Sequence, residues 1–291
     1  MKKSMAVCTA AALLTAALAG CGAPAGTPSS GETGAPEGGV VYSNLAGEGP
    51  CAEVSGALLD HGITEERATA FLSWVEDFNG RVTSDNLAAD FVPMEGSGTD
   101  YSDLTFDLVE LPDGDYMPEA NCRLTAFLLL GDQISTNGAY DDSDTYLMFD
   151  LDAVDTQERF AMSEEDRTNF AALFNWVPLE GADSEEAHLE KIRQAWQDRE
   201  IRINAAEGVS LITVYLHSSF DDARFVGHTG VLLEEEDGLL FVEKYGPAAP
   251  FQATRFEDRA QLKAYLLARP DLYGEEEELA PIVLENGAVM E

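Results

Sequence analysis

Two residues that lie far apart in the sequence could together carry out nucleophilic chemistry. Cys122 stands near the start of an apolar segment that predicts a helix from about Glu119 to Leu130. Unpaired N–H groups at a helix N-terminus stabilise a thiolate. His228 begins a predicted strand, and the glycines on either side of its short segment, Gly227 and Gly230, give another group close access to the imidazole. A thiol of low pKa beside an imidazole is the core of a cysteine nucleophile, although many proteins contain such a pair by chance.

Such a pair needs a third group that orients the imidazole, and the register of the next strand decides which residue supplies it. A four-residue hairpin loop over Glu234–Asp237 would place His228 opposite Glu243. A two-residue Asp237-Gly238 turn would instead place Tyr245 diagonal to it. We expect Glu243, because a carboxylate stabilises the charged imidazole, and the alternative is that Glu243 is a surface residue beside Lys244.

The elements that must position these residues are helices in the first half of the chain and strands in the second. Capping residues followed by acidic first turns predict helices beginning near Thr64, Ser163 and Ser184. His188 lies in the last of these, which is rich in glutamate, and we expect it to be solvated. Apolar, β-branched runs predict strands, and a last helix and strand close the chain. The predicted strands are 209–216, 225–233, 239–245, 251–256 and 282–284, and the last helix is 259–268. The pattern predicts an α+β fold with helices packed on an antiparallel sheet.

The N-terminus has the pattern of a bacterial lipoprotein signal. Lys2 and Lys3 precede an apolar stretch that ends in Leu18-Ala19-Gly20-Cys21. We expect residues 1–20 to be a signal peptide and Cys21 to be the lipidated, palmitate-bearing first residue of the mature protein. Residues 21–40 are nearly all small, polar or proline, which predicts a flexible tether. The predicted location is therefore extracytoplasmic, with the protein anchored by lipid to the bacterial cell membrane.

Composition narrows the function of the remaining chain, residues 41–291, in which we expect a single domain. The formal charge is −37, and it becomes −39 when Lys2 and Lys3 leave with the signal peptide. Such a charge argues against nucleic-acid binding and against basic patches that dock on anionic lipid. A hydrophobic content of 45% argues equally against disorder. We predict a monomer without cofactor or metal.

Only Cys51 and Cys122 remain for the folded part once Cys8 and Cys21 are assigned to the signal and the anchor. Outside the cytoplasm two such cysteines can form a disulfide. Cys51 lies in a Gly-Glu-Gly-Pro-Cys segment that we expect to be a loop, and the sequence does not show whether it approaches Cys122.

The segments around Cys122 and His228 resemble the papain-like amidases that include the NlpC/P60 cell-wall hydrolases. Asn121-Cys122-Arg123-Leu124-Thr125-Ala126-Phe127 looks like their cysteine helix, and Gly227-His228-Thr229-Gly230 looks like their histidine strand, in the same order. The resemblance implies a papain-like core in which Tyr140–Ala206 is a helical insertion. It also implies that Tyr116, six residues before the cysteine, and the backbone N–H of Cys122 are the oxyanion donors.

Over nearly its whole length the chain is similar to a bacterial lipoprotein family described as domain of unknown function 4300. Asn121-Cys122-Arg123, the His228 segment and Phe241-Val242-Glu243-Lys244-Tyr245 carry this likeness. We therefore expect an anchored cysteine hydrolase or amidase that acts on peptide or amide bonds, with cell-wall peptides as one substrate class. The alternative is the same fold without chemistry, serving as a surface binding or adhesion module. Capture of a solute for an importer fits less well, because two α/β lobes are not visible.

Overall fold

Residues 39–112, 114–272 and 278–291 are described by the computed structural model of the chain. The predicted signal peptide, Cys21 and nearly all of the predicted tether lie outside the described residues. The described residues belong to one compact unit. In the described part, no helix is both long and apolar enough to cross a membrane.

Seven α-helices occur in the described residues. Most begin at a polar residue whose side chain accepts a hydrogen bond from the first turn, as Asn121, Ser163, Ser184 and Asp258 do. The helices are α1 (Glu48–Asp60), α2 (Glu65–Arg81), α3 (Cys122–Leu130), α4 (Met148–Thr156), α5 (Glu164–Phe174), α6 (Glu185–Asp198) and α7 (Arg259–Ala268).

The strands form one large sheet and one small one, and every recorded pairing is antiparallel. The strands are β1 (Val41–Ser43), β2 (Val92–Pro93), β3 (Ile134–Ser135), β4 (Val177–Pro178), β5 (Arg202–Ile203), β6 (Val209–Ser218), β7 (Ala223–Glu235), β8 (Gly238–Lys244), β9 (Phe251–Phe256), β10 (Ile282–Glu285) and β11 (Ala288–Val289). The large sheet has the order β11-β10-β6-β7-β8-β9-β1-β2, with β4 beside β7, and β3 pairs with β5. The predicted α+β class with helices on an antiparallel sheet is confirmed.

The two faces of the large sheet are covered by different helices. Alternate side chains such as Val231, Leu240 and Val242 pack on one face against the core formed with α1 to α6. Their neighbours, such as Leu232 and Phe241, pack on the other face against α7. The period of two in β7 and β8 therefore divides the core into two layers, and α3 packs on β7 and β8 in the first.

Several sequence predictions need correction. The segment that contains Cys51 is not a loop, since it forms α1, in which Pro50 occupies an early position that tolerates proline. Helix α3 begins at Cys122 rather than near Glu119, because Asn121 is extended and caps the helix. Helix α4 was not predicted at all.

The hairpin between β7 and β8 has neither of the two predicted registers. Glu235 pairs with Gly238, so the connecting residues are Glu236 and Asp237. The recorded ladder ends at Val231 and Val242. His228 and Glu243 lie just beyond it, where the ladder no longer dictates which side chains face each other.

Candidate functional site

Cys122 is held at the first turn of α3 by its two neighbours in sequence. The Oδ1 atom of Asn121 accepts a hydrogen bond from the backbone N–H of Leu124 at 2.9 Å, which caps the helix. The first N–H groups of a helix have no partner within it, so those of Cys122 and Arg123 remain available beside the thiol. The local sequence thus places a sulfur atom at the positive end of a helix dipole.

Asp150, on α4, ties both neighbours of Cys122 together. Its Oδ1 accepts from Nδ2 of Asn121 at 2.7 Å, and its Oδ2 accepts from Nη2 of Arg123 at 2.6 Å. Arg123 also donates to the carbonyl of Val226 on β7 at 2.8 Å and to that of Tyr146 at 3.1 Å. Because Asp150 is 1% exposed, the Arg123–Asp150 ion pair is shielded from water. The bond from Arg123 to Val226 fixes the start of α3 against the strand that carries His228.

The structure brings Cys122 and His228 into the same buried cluster. Each side chain shifts the pKa of the other, and Sγ of Cys122 lies 4.0 Å from the carbonyl oxygen of Gly227, the residue before His228. The Nε2 atom of the imidazole faces Glu243, which leaves Nδ1 as the nitrogen for the thiol. Both side chains are nearly buried, at 8% and 2% exposure.

Glu243 is the carboxylate that orients the imidazole. Its Oε2 lies 2.5 Å from Nε2 of His228, and its Oε1 accepts from the hydroxyl of Tyr265 at 2.7 Å. Gln252 Nε2 lies 3.5 Å from the same Oε1 atom. Glu243 is fully buried, so these donors replace the water that an ionised carboxylate would otherwise bind. The contact with His228 reaches diagonally from one strand to the next.

The charges of this cluster favour a thiolate. Burial acts to raise the pKa of the Cys122 thiol, but the hydrogen bond to His228 and the charges of His228 and Arg123 outweigh it, so that pKa is below its usual value. Burial and the charge of Arg269 act to lower the pKa of His228, and Glu243 together with Cys122 raises it above its ordinary value. Burial acts to raise the pKa of Glu243, whereas Arg269 and His228 bring it below its usual range. The three shifts are those expected for a thiolate–imidazolium pair supported by a carboxylate.

The glycines near His228 serve packing more than access to the ring, which was the predicted reason for them. A Cβ at position 227 would come 2.3 Å from Leu216 Cδ1. A Cβ at position 230 would come 2.4 Å from Phe241 Cζ and 2.9 Å from the carbonyl oxygen of Val242. Neighbouring strands and side chains therefore approach β7 closely on both sides of His228.

Two other predicted positions are not part of the cluster that surrounds Cys122. Tyr116 is 58% exposed, and its backbone pairs with Glu110 in an isolated bridge. Its role as an oxyanion donor stays a prediction. Tyr245, the alternative to Glu243, donates its hydroxyl to the carbonyl of Thr99 at 3.0 Å instead of to the imidazole.

Sequence reasoning missed four residues of the site: Asp150, Gln252, Tyr265 and Arg269. Tyr265 and Arg269 are four positions apart, a spacing that places both on one side of α7 and its end. That spacing is the only local signal they give. Asp150 and Gln252 lie in segments with nothing to mark them as partners of Cys122 or Glu243.

Cys51 and Cys122 are both free, so the disulfide that the sequence left open does not form. Within the described residues, no group of three or more histidine, cysteine, aspartate or glutamate side chains is arranged to hold a metal ion. Three surface cavities of about 270, 490 and 510 Å³ are lined by residues other than Cys122, His228 and Glu243. Cys122 is 8% exposed, so its thiol is a covered group.

Comparison with known proteins assigns the chain to a family. The model of the family described as Domain of unknown function (DUF4300) matches residues 41–290, so the chain belongs to this family. No curated protein and no solved structure matches the chain. The match contains Cys122, His228 and Glu243, and the family's description assigns them no role.

Proposed function

We propose that this member of the DUF4300 family is a cysteine hydrolase or amidase with a papain-like core, which cleaves peptide or amide bonds outside the cytoplasm. The observation that carries the proposal is the buried chain of contacts from the Cys122 thiol through His228 to Glu243. The order of the elements supports the papain-like core, because a helix that begins with the cysteine precedes the strand that carries the histidine. Tyr140–Ala206, which contains α4, α5 and α6, would be the helical insertion.

The reaction follows from the protonation states that this arrangement favours. The thiolate of Cys122 attacks the carbonyl carbon of the substrate, and the C=O electron pair moves to the oxygen, where the backbone N–H of Cys122 can stabilise it. The imidazolium of His228 then gives its proton to the departing amine as the C–N bond breaks, which leaves a thioester on Cys122. His228 next takes a proton from water, the resulting hydroxide attacks the thioester, and the thiol is regenerated as the acid leaves.

A panel of synthetic peptides, together with peptides released from bacterial cell walls, tests this function. We expect wild-type protein to release primary amines and to carry an acyl adduct on Cys122 after acid quenching. Cys122→Ala should lower the rate at least about 1000-fold, because it removes the nucleophile. The matched control is Cys51→Ala, which changes the other free cysteine of the described residues and should leave the rate within about twofold of wild type. Cleavage that survives Cys122→Ala would contradict the assignment.

A second candidate is the same fold acting as a surface binding or adhesion module without catalysis. The burial of the thiol, at 8% exposure, favours it, because a substrate cannot reach Cys122 until neighbouring groups move. If the panel gives neither amine release nor an acyl adduct at any pH at which the protein stays folded, this candidate replaces the hydrolase.

We also propose that the protein lies on the outer side of the membrane and is held there by lipid on Cys21. Lys2, Lys3 and the apolar run before Cys21 support it. Wild-type protein should fractionate with membranes, and its N-terminal peptide should carry the mass of a lipid. Cys21→Ala should release the protein or leave the signal uncleaved. A wild-type protein that is recovered free of membranes and begins at another residue would contradict the anchor.

A further inference from the structure

Arg269 follows the end of α7 and contacts His228 and Glu243 from the face of the sheet that α7 covers. It is fully buried, and its guanidinium donates to Glu243, to the carbonyl of Tyr245 and to Asp271. Its Cζ atom lies over the ring of Tyr245, 3.6 Å from the ring centroid. A cation with such partners stays charged, because two carboxylates and a carbonyl offset the cost of removing it from water.

The position of one atom of this group distinguishes it from an ordinary buried ion pair. Nη1 of Arg269 lies 2.8 Å from Oε2 of Glu243 and also 3.2 Å from Nε2 of His228. The same Oε2 atom is 2.5 Å from Nε2. A guanidinium nitrogen is only a donor and an ionised carboxylate is only an acceptor. As long as Glu243 is ionised, it therefore accepts from both nitrogens, and Nε2 must carry a proton.

The protonation of Glu243 would reverse this arrangement. A neutral carboxyl group can donate to Nε2, and Arg269 is within reach to donate to Nε2 as well. The ring proton would then sit on Nδ1, the nitrogen left for the Cys122 thiol. An imidazole with a proton on Nδ1 cannot accept the proton of that thiol.

We propose that Arg269 is a positioning residue that keeps Glu243 ionised and thereby holds the neutral His228 ring in the tautomer with its proton on Nε2 and its lone pair towards Cys122. The inference rests on the proposed function for its catalytic meaning, but the tautomer itself can be observed without catalysis. Arg269 acts through Glu243 and is not expected to touch the substrate.

The charged and titratable groups around the imidazole come from every element packed on it. They are Cys122 and Arg123 on α3, Asp150 on α4, Glu243 and Tyr245 on and after β8, Tyr265 on α7, and Arg269 and Asp271 after α7. Of these, Arg269 lowers the pKa of both His228 and Glu243. An imidazolium made more acidic in this way is also a better proton donor to the departing amine.

The test measures the tautomer of His228 by ¹⁵N NMR in the full chain with Cys122→Ser, which removes the thiolate that would keep the ring doubly protonated. With Arg269 present we expect the Nε2–H form to dominate above the pKa of the ring. Arg269→Met should lower the ratio of the Nε2–H to the Nδ1–H form at least about tenfold, which corresponds to about 1.4 kcal/mol. Arg269→Lys keeps the charge without the planar fork and should give an intermediate ratio.

Asp271→Asn is the matched control, because Asp271 is half exposed and binds Arg269 on the side away from the imidazole. It should leave the ratio within about twofold of the parent. A folded Arg269→Met variant with an unchanged ratio overturns the inference, and if that variant does not fold, an unchanged ratio in Arg269→Lys overturns it. A changed ratio in a protein that cleaves no peptide would support the role of Arg269 and contradict the hydrolase.

Discussion

Two buried histidines in this protein each lie beside a buried arginine, and only one of them has the surroundings of a nucleophile. His228 is 2% exposed and touches a thiol, a carboxylate and Arg269. His188, on α6, is 1% exposed, although the sequence predicted that it would be solvated. Its Nδ1 accepts from Nε of Arg224 at 3.1 Å, and its Nε2 donates to the carbonyl of Ala182 at 2.8 Å.

The arginine of the second cluster has a different set of partners. Nη1 of Arg224 donates to the carbonyls of Tyr215 and Ala280. Among the described residues Nη2 of Arg224 has no hydrogen-bond partner, and the charges of Glu185 and Glu278 act to raise the pKa of the guanidinium. Burial lowers the pKa of Arg224 to about 10. The ring of His217 lies 4.9 Å from that of His188 between centroids and is tilted by 50°.

The two clusters differ in the chemical groups that contact the buried imidazole. In both clusters the protein surrounds the ring with hydrogen-bond partners and a guanidinium. Around His188 the partners are the guanidinium of Arg224 on one nitrogen and the carbonyl of Ala182 on the other, and the bond to Arg224 ties α6 to β7. Around His228 they are a thiol on one nitrogen and a carboxylate on the other, which is the arrangement that moves a proton. Burial and an arginine neighbour alone therefore do not identify a site.

The largest expected difference between the clusters concerns stability. Glu243→Leu leaves Arg269 and the hydroxyl of Tyr265 buried without their carboxylate, and we expect it to lower the free energy of unfolding by about 3–5 kcal/mol. Arg224→Met removes a cation that donates to two carbonyls and to His188, so its loss should stay below about 3 kcal/mol, the cost of leaving these acceptors unpaired. Urea unfolding of both variants measures the difference. Equal losses, or a larger loss in Arg224→Met, would break the comparison.

A smaller difference is expected between changes to the N-cap residues of α3 and α6. Asn121 caps α3 beside Cys122, and Ser184 caps α6 beside His188. Each change to alanine should lower the free energy of unfolding by about 1 kcal/mol. Only Asn121→Ala should also slow alkylation of Cys122, because it loosens the start of α3 and its bond to Asp150. An equal change of Cys122 reactivity in Ser184→Ala would show that the effect follows stability alone.

Local sequence patterns were sufficient to predict the parts of the site that depend on neighbouring residues. The apolar run after Cys122 placed it near the start of a helix predicted from about Glu119, and the apolar, β-branched runs placed His228 and Glu243 on adjacent strands. The turn in the structure has two residues, Glu236 and Asp237. The sequence predicted either a four-residue loop over Glu234–Asp237 or a two-residue turn at Asp237-Gly238, so this register was missed. Glu243 nevertheless reaches His228, because diagonal neighbours lie within reach of a long side chain.

The partners of Arg269 and the burial of His188 could not be predicted in the same way. Both depend on contacts between elements that are distant in the chain, such as the end of α7 against β8 and α6 against β7.

The short strands β1 and β2 were missed because two or three residues carry no measurable alternation. Pairing with β9 and with each other defines them.

The most direct test of the central claim is the ionisation of the Cys122 thiol. We expect thiolate absorbance and site-resolved alkylation by iodoacetamide to give Cys122 a pKa below the ordinary thiol value of about 8.5. Cys51 should ionise above its ordinary range, since burial and the nearby Glu76 raise its pKa.

His228→Ala should raise the pKa of Cys122 above about 8.5, because burial then acts without the charge of the imidazole. The absorbance does not require a reagent to reach the covered thiol, so it separates an inaccessible thiolate from an inert thiol. A wild-type Cys122 that ionises at or above about 8.5, with no change in His228→Ala, would contradict the account.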